Sequence, residues 1–80
     1  MLVKIKFFGL PVGFAENEFS ADVADSATIG DLIEAISAND VKKTELLRNS
    51  VFLVNKSKSG LKTVLHDNDE VFIMRVLGGG

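Results

Sequence analysis

The chain has no cysteine, no tryptophan and no tyrosine, only one histidine, and no long apolar run. The missing cysteine excludes disulfides, thiolate metal sites and cysteine nucleophiles, and it leaves no side chain able to hold sulfur as a persulfide. The start, Met1-Leu2-Val3-Lys4-Ile5-Lys6, lacks the uninterrupted apolar core of a signal peptide. No stretch approaches the roughly 18 apolar residues that a membrane span needs, so a cytoplasmic location with no membrane partner is expected. An excess of basic charge is missing too. The net charge is −2 with both signs interspersed, which leaves no broad basic face for phosphates and argues against nucleic acid as a partner. There is no Gly-x-x-x-x-Gly-Lys-Ser/Thr loop to bind a nucleotide. No serine, histidine and acid stand in a pattern that suggests a nucleophilic triad.

What remains suits one small soluble domain. The chain has 80 residues, of which 46% are hydrophobic, 25% are charged and six are phenylalanine. A domain of that size buries only about 60% of the surface its unfolded chain exposes, so its core must be compact.

Val3, Ile5 and Phe7 alternate with Lys4 and Lys6, the period of a strand with one buried face, and Gly9-Leu10-Pro11-Val12-Gly13 reads as a turn. Phe19, Ala21 and Val23 alternate with polar or small residues and predict a second strand, returning beside the first as a hairpin with a long loop. Thr28-Ile29-Gly30-Asp31 has the form of a capping box that starts a helix. In that helix Ile29, Leu32, Ile33 and Ile36 form one apolar stripe while Asp31, Glu34 and Ser37 face away. Asn39-Asp40 should end it, and Asp40 can cap a short second helix from Lys42 to Leu47. Val51-Phe52-Leu53-Val54 suits a strand buried on both faces, and Asn55 to Gly60 reads as a flexible polar turn. Thr63-Val64-Leu65 suggests a short edge strand, and His66-Asp67-Asn68-Asp69 a turn. Glu70 to Val76 should form the last strand. The order predicts an α+β fold of β-grasp type, a mixed sheet of four or five strands with one long helix across one face. The first and last strands would be central parallel neighbours.

The chain closes on Val76-Leu77-Gly78-Gly79-Gly80. Glycine costs more backbone entropy to order than any other residue, and three in a row can neither cap a helix nor pack a core. They offer instead a thin strand that enters a narrow channel where any Cβ would clash, and that presents the α-carboxyl group as a reactive atom. A frayed terminus is the plainer reading of any chain end. The expected division is a domain over 1–76 and a flexible tail over 77–80, and from Val76 to Gly80 the tail would reach about 17 Å.

Taken together, Val3-Lys4-Ile5-Lys6-Phe7-Phe8-Gly9, Thr28-Ile29-Gly30-Asp31-Leu32, Asn55 after an apolar strand, Leu65-His66-Asp67-Asn68-Asp69-Glu70-Val71 and the glycine ending resemble a ubiquitin-like sulfur-carrier family. It includes the small subunit of molybdopterin synthase and the thiamine-pathway sulfur carrier. Aligned from the end, Gly79 and Gly80 take the places of the family's terminal diglycine, and Gly78 the variable position before it. Arg75 and Val76 stand where the molybdopterin branch typically carries a proline pair and look more like the thiamine branch. The Lys6-Phe7-Phe8-Gly9 stretch and the length lean towards molybdopterin.

A carboxylate is a poor electrophile and must be activated before it can acquire sulfur. The resemblance implies that a ubiquitin-activating-like adenylyltransferase, using ATP, forms an acyl-adenylate on Gly80, and that a persulfide donor converts it to a thiocarboxylate. Catalytic groups and nucleotide site would belong to that partner, so this chain needs no cofactor or metal and has no catalytic side chains of its own. Gly80 is the expected acceptor, and Gly79 the residue whose missing side chain admits the backbone. The resemblance further implies a larger catalytic synthase subunit as partner, the free chain being a monomer. A protein modifier joined through Gly80 to a lysine, or an interaction module with a passive tail, are the other readings.

Phe72 and Met74 are expected on the face of the sheet opposite the helix, near Lys4 and Lys6, as an apolar patch that would dock a partner. Arg75, Val76, Leu77 and Gly78 continue this partner-binding set along the tail. His66 stands in a turn beside acids without a recognised metal spacing, and those acids are expected to shape the turn by bonding to nearby backbone.

Overall fold

The computed structural model describes residues 1–9, 18–38 and 40–75. The turn expected after Gly9 and the tail from Val76 to Gly80 thus lie outside the described residues, as does Asn39. The elements run β1 (Leu2–Phe8), β2 (Glu18–Asp22), α1 (Ile29–Ile36), α2 (Val41–Arg48), β3 (Val51–Val54), β4 (Ser57–Ser59) and β5 (Glu70–Met74). They build a five-stranded mixed sheet in the order β2-β1-β5-β3-β4. β1 pairs antiparallel with β2 and parallel with β5, and β3 is antiparallel to both β4 and β5. This is the β-grasp arrangement, with the parallel β1 and β5 at its centre as expected.

Period two decides which residues go inside. Val3, Ile5 and Phe7 of β1 and Val71 and Ile73 of β5 point to one face of the sheet and are buried there. Phe52 joins them from β3, while Ile29, Leu32 and Ile33 of α1, Leu47 of α2 and Leu65 close the core from the other side. α1 starts where its sequence says it should. Thr28 Oγ1 accepts from the Asp31 amide at 3.2 Å, and Asp31 Oδ2 accepts from the Thr28 amide at 3.0 Å, a complete capping box. A Thr28→Ala chain should lose about 1 kcal/mol of stability, read as a lower urea midpoint at unchanged slope.

One long helix is not what forms. α1 stops after eight residues, and a second eight-residue helix, capped by Asp40 whose Oδ1 accepts from the Lys43 amide at 3.0 Å, follows almost at once. The cause of the early stop is Ser37, which was expected to face solvent and is instead buried as the cap of α1. Its hydroxyl bonds Ile33 O and lies 2.7 Å from Thr44 Oγ1 of α2. A short hydroxyl that returns to the preceding turn and ties down the next helix terminates α1 before Asn39-Asp40 is reached.

Four further expectations change in the second half. β3 is fully buried only at Phe52, since Val51 and Leu53 lie on the open face and Val54 only partly reaches the core. Asn55 to Gly60 is no loose turn: Asn55 and Lys56 have φ of 50 and 71 and form a two-residue hairpin of type I′ leading straight into β4. Thr63-Val64-Leu65 forms no strand but a single bridge from Val64 to Thr28. β5 ends at Met74, so the described part of the last strand is two residues shorter than expected.

Candidate functional site

The site begins where β5 ends. Arg75 N donates to Phe8 O at 3.2 Å, so the chain is still held against β1 one residue past the strand. β1 turns away there through Gly9, whose φ of +68 suits glycine and few other residues. Arg75 is exposed.

Parallel pairing in register sets Lys6 beside Phe72 and Phe8 beside Met74, and the antiparallel β3 sets Leu53 beside Phe72 and Val51 beside Met74. Cross-strand partners share a face. Val71 and Ile73 fill the core, so Phe72 and Met74 stand on the open face, half-buried, as expected from their parity. Phe8 and Phe72 meet edge to face with ring centroids 5.5 Å apart. Lys6 Nζ lies 5.5 Å from the Phe72 ring centre and 3.5 Å from Glu70 Oε2, so the ammonium sits between a ring face and a carboxylate. The result is a small apolar area of Phe8, Phe72, Met74, Val51 and Leu53 at the root of the tail, bordered by Lys6 and Glu70.

Phe72 and Met74 stand where their parity puts them, and Phe8, which is 48% exposed, is a member of the patch that was not among the expected residues. A signal for it was present: Phe8 shares the parity of Lys4 and Lys6, opposite to the buried Val3, Ile5 and Phe7. Of the other expected partner-binding residues, Arg75 is at the root. Val76, Leu77, Gly78, Gly79 and Gly80 lie outside the described residues.

The turn before β5 is built as a set of side-chain clamps. Asp69 is buried, and its Oδ1 accepts from Asn55 Nδ2 at 2.8 Å while Oδ2 accepts from the His66 amide at 2.7 Å. Asn55 Oδ1 in turn accepts from the Glu70 amide at 3.0 Å. Asp67 Oδ1 accepts from the Leu2 amide at 2.8 Å. These acids therefore hold backbone, as expected, and fix where β5 starts beside β1. The His66 side chain is 80% exposed, with Nδ1 3.8 Å from Asp69 Oδ2. Among the described residues no three histidine or acidic side chains are grouped to hold a metal ion, and no helix is long and apolar enough to cross a membrane.

Comparison with known proteins agrees with this architecture. No curated protein matches the chain by sequence, whereas many solved structures match its fold. The solution structure of the Haloferax volcanii HVO 2177 protein is 23% identical with a TM-score of 0.82, covering 100% of this chain and 87% of that one. SAMP1 from Haloferax volcanii is 20% identical with a TM-score of 0.73 over the whole of both chains. In the complex of subunits 1 and 2 of molybdopterin-converting factor from Helicobacter pylori, the matching chain is 25% identical with a TM-score of 0.65, again over the whole of both. The ThiS family model matches residues 5–80. With the β-grasp sheet, the match from β1 through Gly80 and these structural neighbours in hand, the chain belongs to the ThiS family of ubiquitin-like sulfur carriers.

Proposed function

We propose that Gly80 is activated as a C-terminal acyl-adenylate, converted to a thiocarboxylate, and used to donate sulfur in molybdopterin biosynthesis. The observation that carries this reading is the family match running through Gly79 and Gly80. The geometry supports it: β5 is held on both sides, so whatever follows Arg75 leaves from the rigid middle of the sheet beside an apolar docking area.

The chemistry divides between this chain and its partners. In a ubiquitin-activating-like adenylyltransferase, the carboxylate of Gly80 attacks the α-phosphorus of ATP and pyrophosphate leaves. The terminal sulfur of a persulfide donor then attacks the acyl carbon, AMP leaves, and a thiol cleaves the resulting acyl disulfide to leave the thiocarboxylate. This chain contributes the acyl carbon, a backbone slim enough to reach it, and a face to dock on. Phe8, Phe72 and Met74 supply the apolar centre of that face, and Arg75 the cation at its edge.

Assignment to molybdopterin draws on the Helicobacter pylori neighbour, which is one subunit of a two-subunit converting factor, and on the Lys6-Phe7-Phe8-Gly9 stretch. By analogy, a larger synthase subunit is the partner that consumes the sulfur. The thiamine pathway is the second reading, favoured by Arg75 and Val76 in place of a proline pair.

Intact mass after incubation with ATP, the activating enzyme and a persulfide donor tests the proposal. A gain equal to the difference between sulfur and oxygen is expected. Adducts through lysine would mark a protein modifier instead, and an unchanged mass would reject activation altogether. Sulfur transfer from the charged carrier to a molybdopterin precursor in the presence of the larger subunit, but not to a thiamine-thiazole precursor, separates the two pathways.

A further inference from the structure

Four non-glycine residues among those described have left-handed backbone, and three of them, Asn55, Lys56 and Asn68, meet at the end of the sheet opposite the tail root. With Lys4 and Glu70 they line an open depression of about 300 Å³. Asparagine accepts such a backbone readily, but lysine does not. Lys56 occupies the second position of a type I′ turn, where glycine is the favoured residue and a Cβ brings strain. Strain retained at one residue directs attention to what its side chain does.

The side chains here leave charge uncompensated. Glu70 is engaged by Lys6 at 3.5 Å, and among the described residues neither Lys4 nor Lys56 has a carboxylate within ion-pair distance. Among the described residues, two ammonium groups with no carboxylate in ion-pair range thus flank one depression in a chain whose net charge is −2.

We propose that this corner receives carboxylate side chains from an acidic segment of the protein that holds the tail. It would be a second anchor, set back from the tail root by the length of β5, about 13 Å at ~3.3 Å per residue. The inference rests on the sulfur-carrier reading for the partner's identity and adds the chemistry of the partner's surface. A carboxylate fits better than a phosphate. The rim already holds Glu70, which repels a dianion more than a monoanion, and it lacks the planar arginine fork that favours phosphate. Exposed ion pairs are individually weak, so the corner sets orientation and encounter rate more than affinity.

The test uses Lys56→Gly, which removes the charge and gives the turn its favoured residue, so that lost binding cannot be blamed on misfolding. Its melting temperature should rise by several degrees. A hexaglutamate peptide titrated into the isotope-labelled full chain at low salt should shift the amide signals of Lys4, Lys56 and Asn68 first. Lys56→Gly should reduce the response at least several-fold, and high salt should abolish it. Inorganic phosphate at equal ionic strength should shift them less. Peptide shifts spread evenly over Lys42, Lys58 and Lys62, a stronger response to phosphate, unchanged binding by Lys56→Gly, or a variant that melts no higher would each overturn the proposal. Because the titration involves neither activation nor sulfur, its failure would leave the mass test of Gly80 unaffected.

Discussion

A Gly79→Val chain should fold like the parent and be adenylated at least about a hundredfold more slowly, since seating a reacting group about 1 Å out of place already costs that much. The described core is built by residues other than Gly79, so the change should leave that packing alone. What it alters is the width of the chain where a partner's channel must close around it. Adding one alanine after Gly80 acts on a different variable: it moves the carboxyl carbon by about 3.5 Å and leaves the backbone slim. Pyrophosphate exchange with the activating enzyme reads both effects, and circular dichroism checks the fold. If either variant were adenylated at the parental rate, the reading of Gly80 as an acceptor delivered through a narrow slot would fall.

The second large effect is expected at Asp69. Replacing it with alanine removes the acceptor for the Asn55 side-chain amide and for the His66 backbone amide in a place where Asp69 itself is only 8% exposed. Both bonds are part-buried, and a donor kept from water and left without a partner costs about 1–3 kcal/mol, so a loss of roughly 2 kcal/mol is expected for the pair. That is a large share of the total for a domain of this size, which by ordinary scaling is about 4–12 kcal/mol. Asp69→Asn should rescue little. One carboxylate oxygen would become an amide nitrogen, and a donor would then face a donor. Asp67→Ala is the control. Asp67 also accepts a backbone amide, that of Leu2, but at an exposed site where water replaces it, so under about 1 kcal/mol should be lost. Urea midpoints order the three variants, and equal losses at Asp67 and Asp69 would contradict the assignment of burial as the cause.

These two sites also show what could be seen from the residues alone. Alternation in β1 and β5, the Thr28 capping box and the Asp40 cap are local signals, and the structure keeps them all. The central parallel pair followed from element order. What failed depended on contacts across the chain. Ser37 looks like a surface residue by helical phase, and only its meeting with Thr44 shows why α1 is short. β4 is Ser57–Ser59, with no apolar residue to mark it, and exists because a type I′ turn delivers it to β3. Asn55-Lys56 hid that turn because the glycine that would announce it is absent.

At the site, the parity of Phe72 and Met74 was legible because β5 alternates cleanly. The parity of Phe8 was legible in the same way, but how exposed it is depends on which strands flank it. Asn55 was noted within a family pattern, but its bond to Asp69 crosses from one hairpin to the next strand and has no local signature. The glycine tail stood out by composition alone, and it lies outside the described residues.

The sheet order has a consequence for how the chain is made. β1 with β2 and β3 with β4 are two hairpins, and within the sheet the two are joined only through β5. On the ribosome, the first 69 residues can form both hairpins and both helices but have no middle strand to lay them against. Pairing across so long a separation comes late in folding in any case. A nascent or truncated chain is therefore unable to close its core until residues 70–74 have emerged. Proteases that degrade open chains would clear such fragments, so any folded copy in the cell has already been translated up to the segment that leads to its glycines.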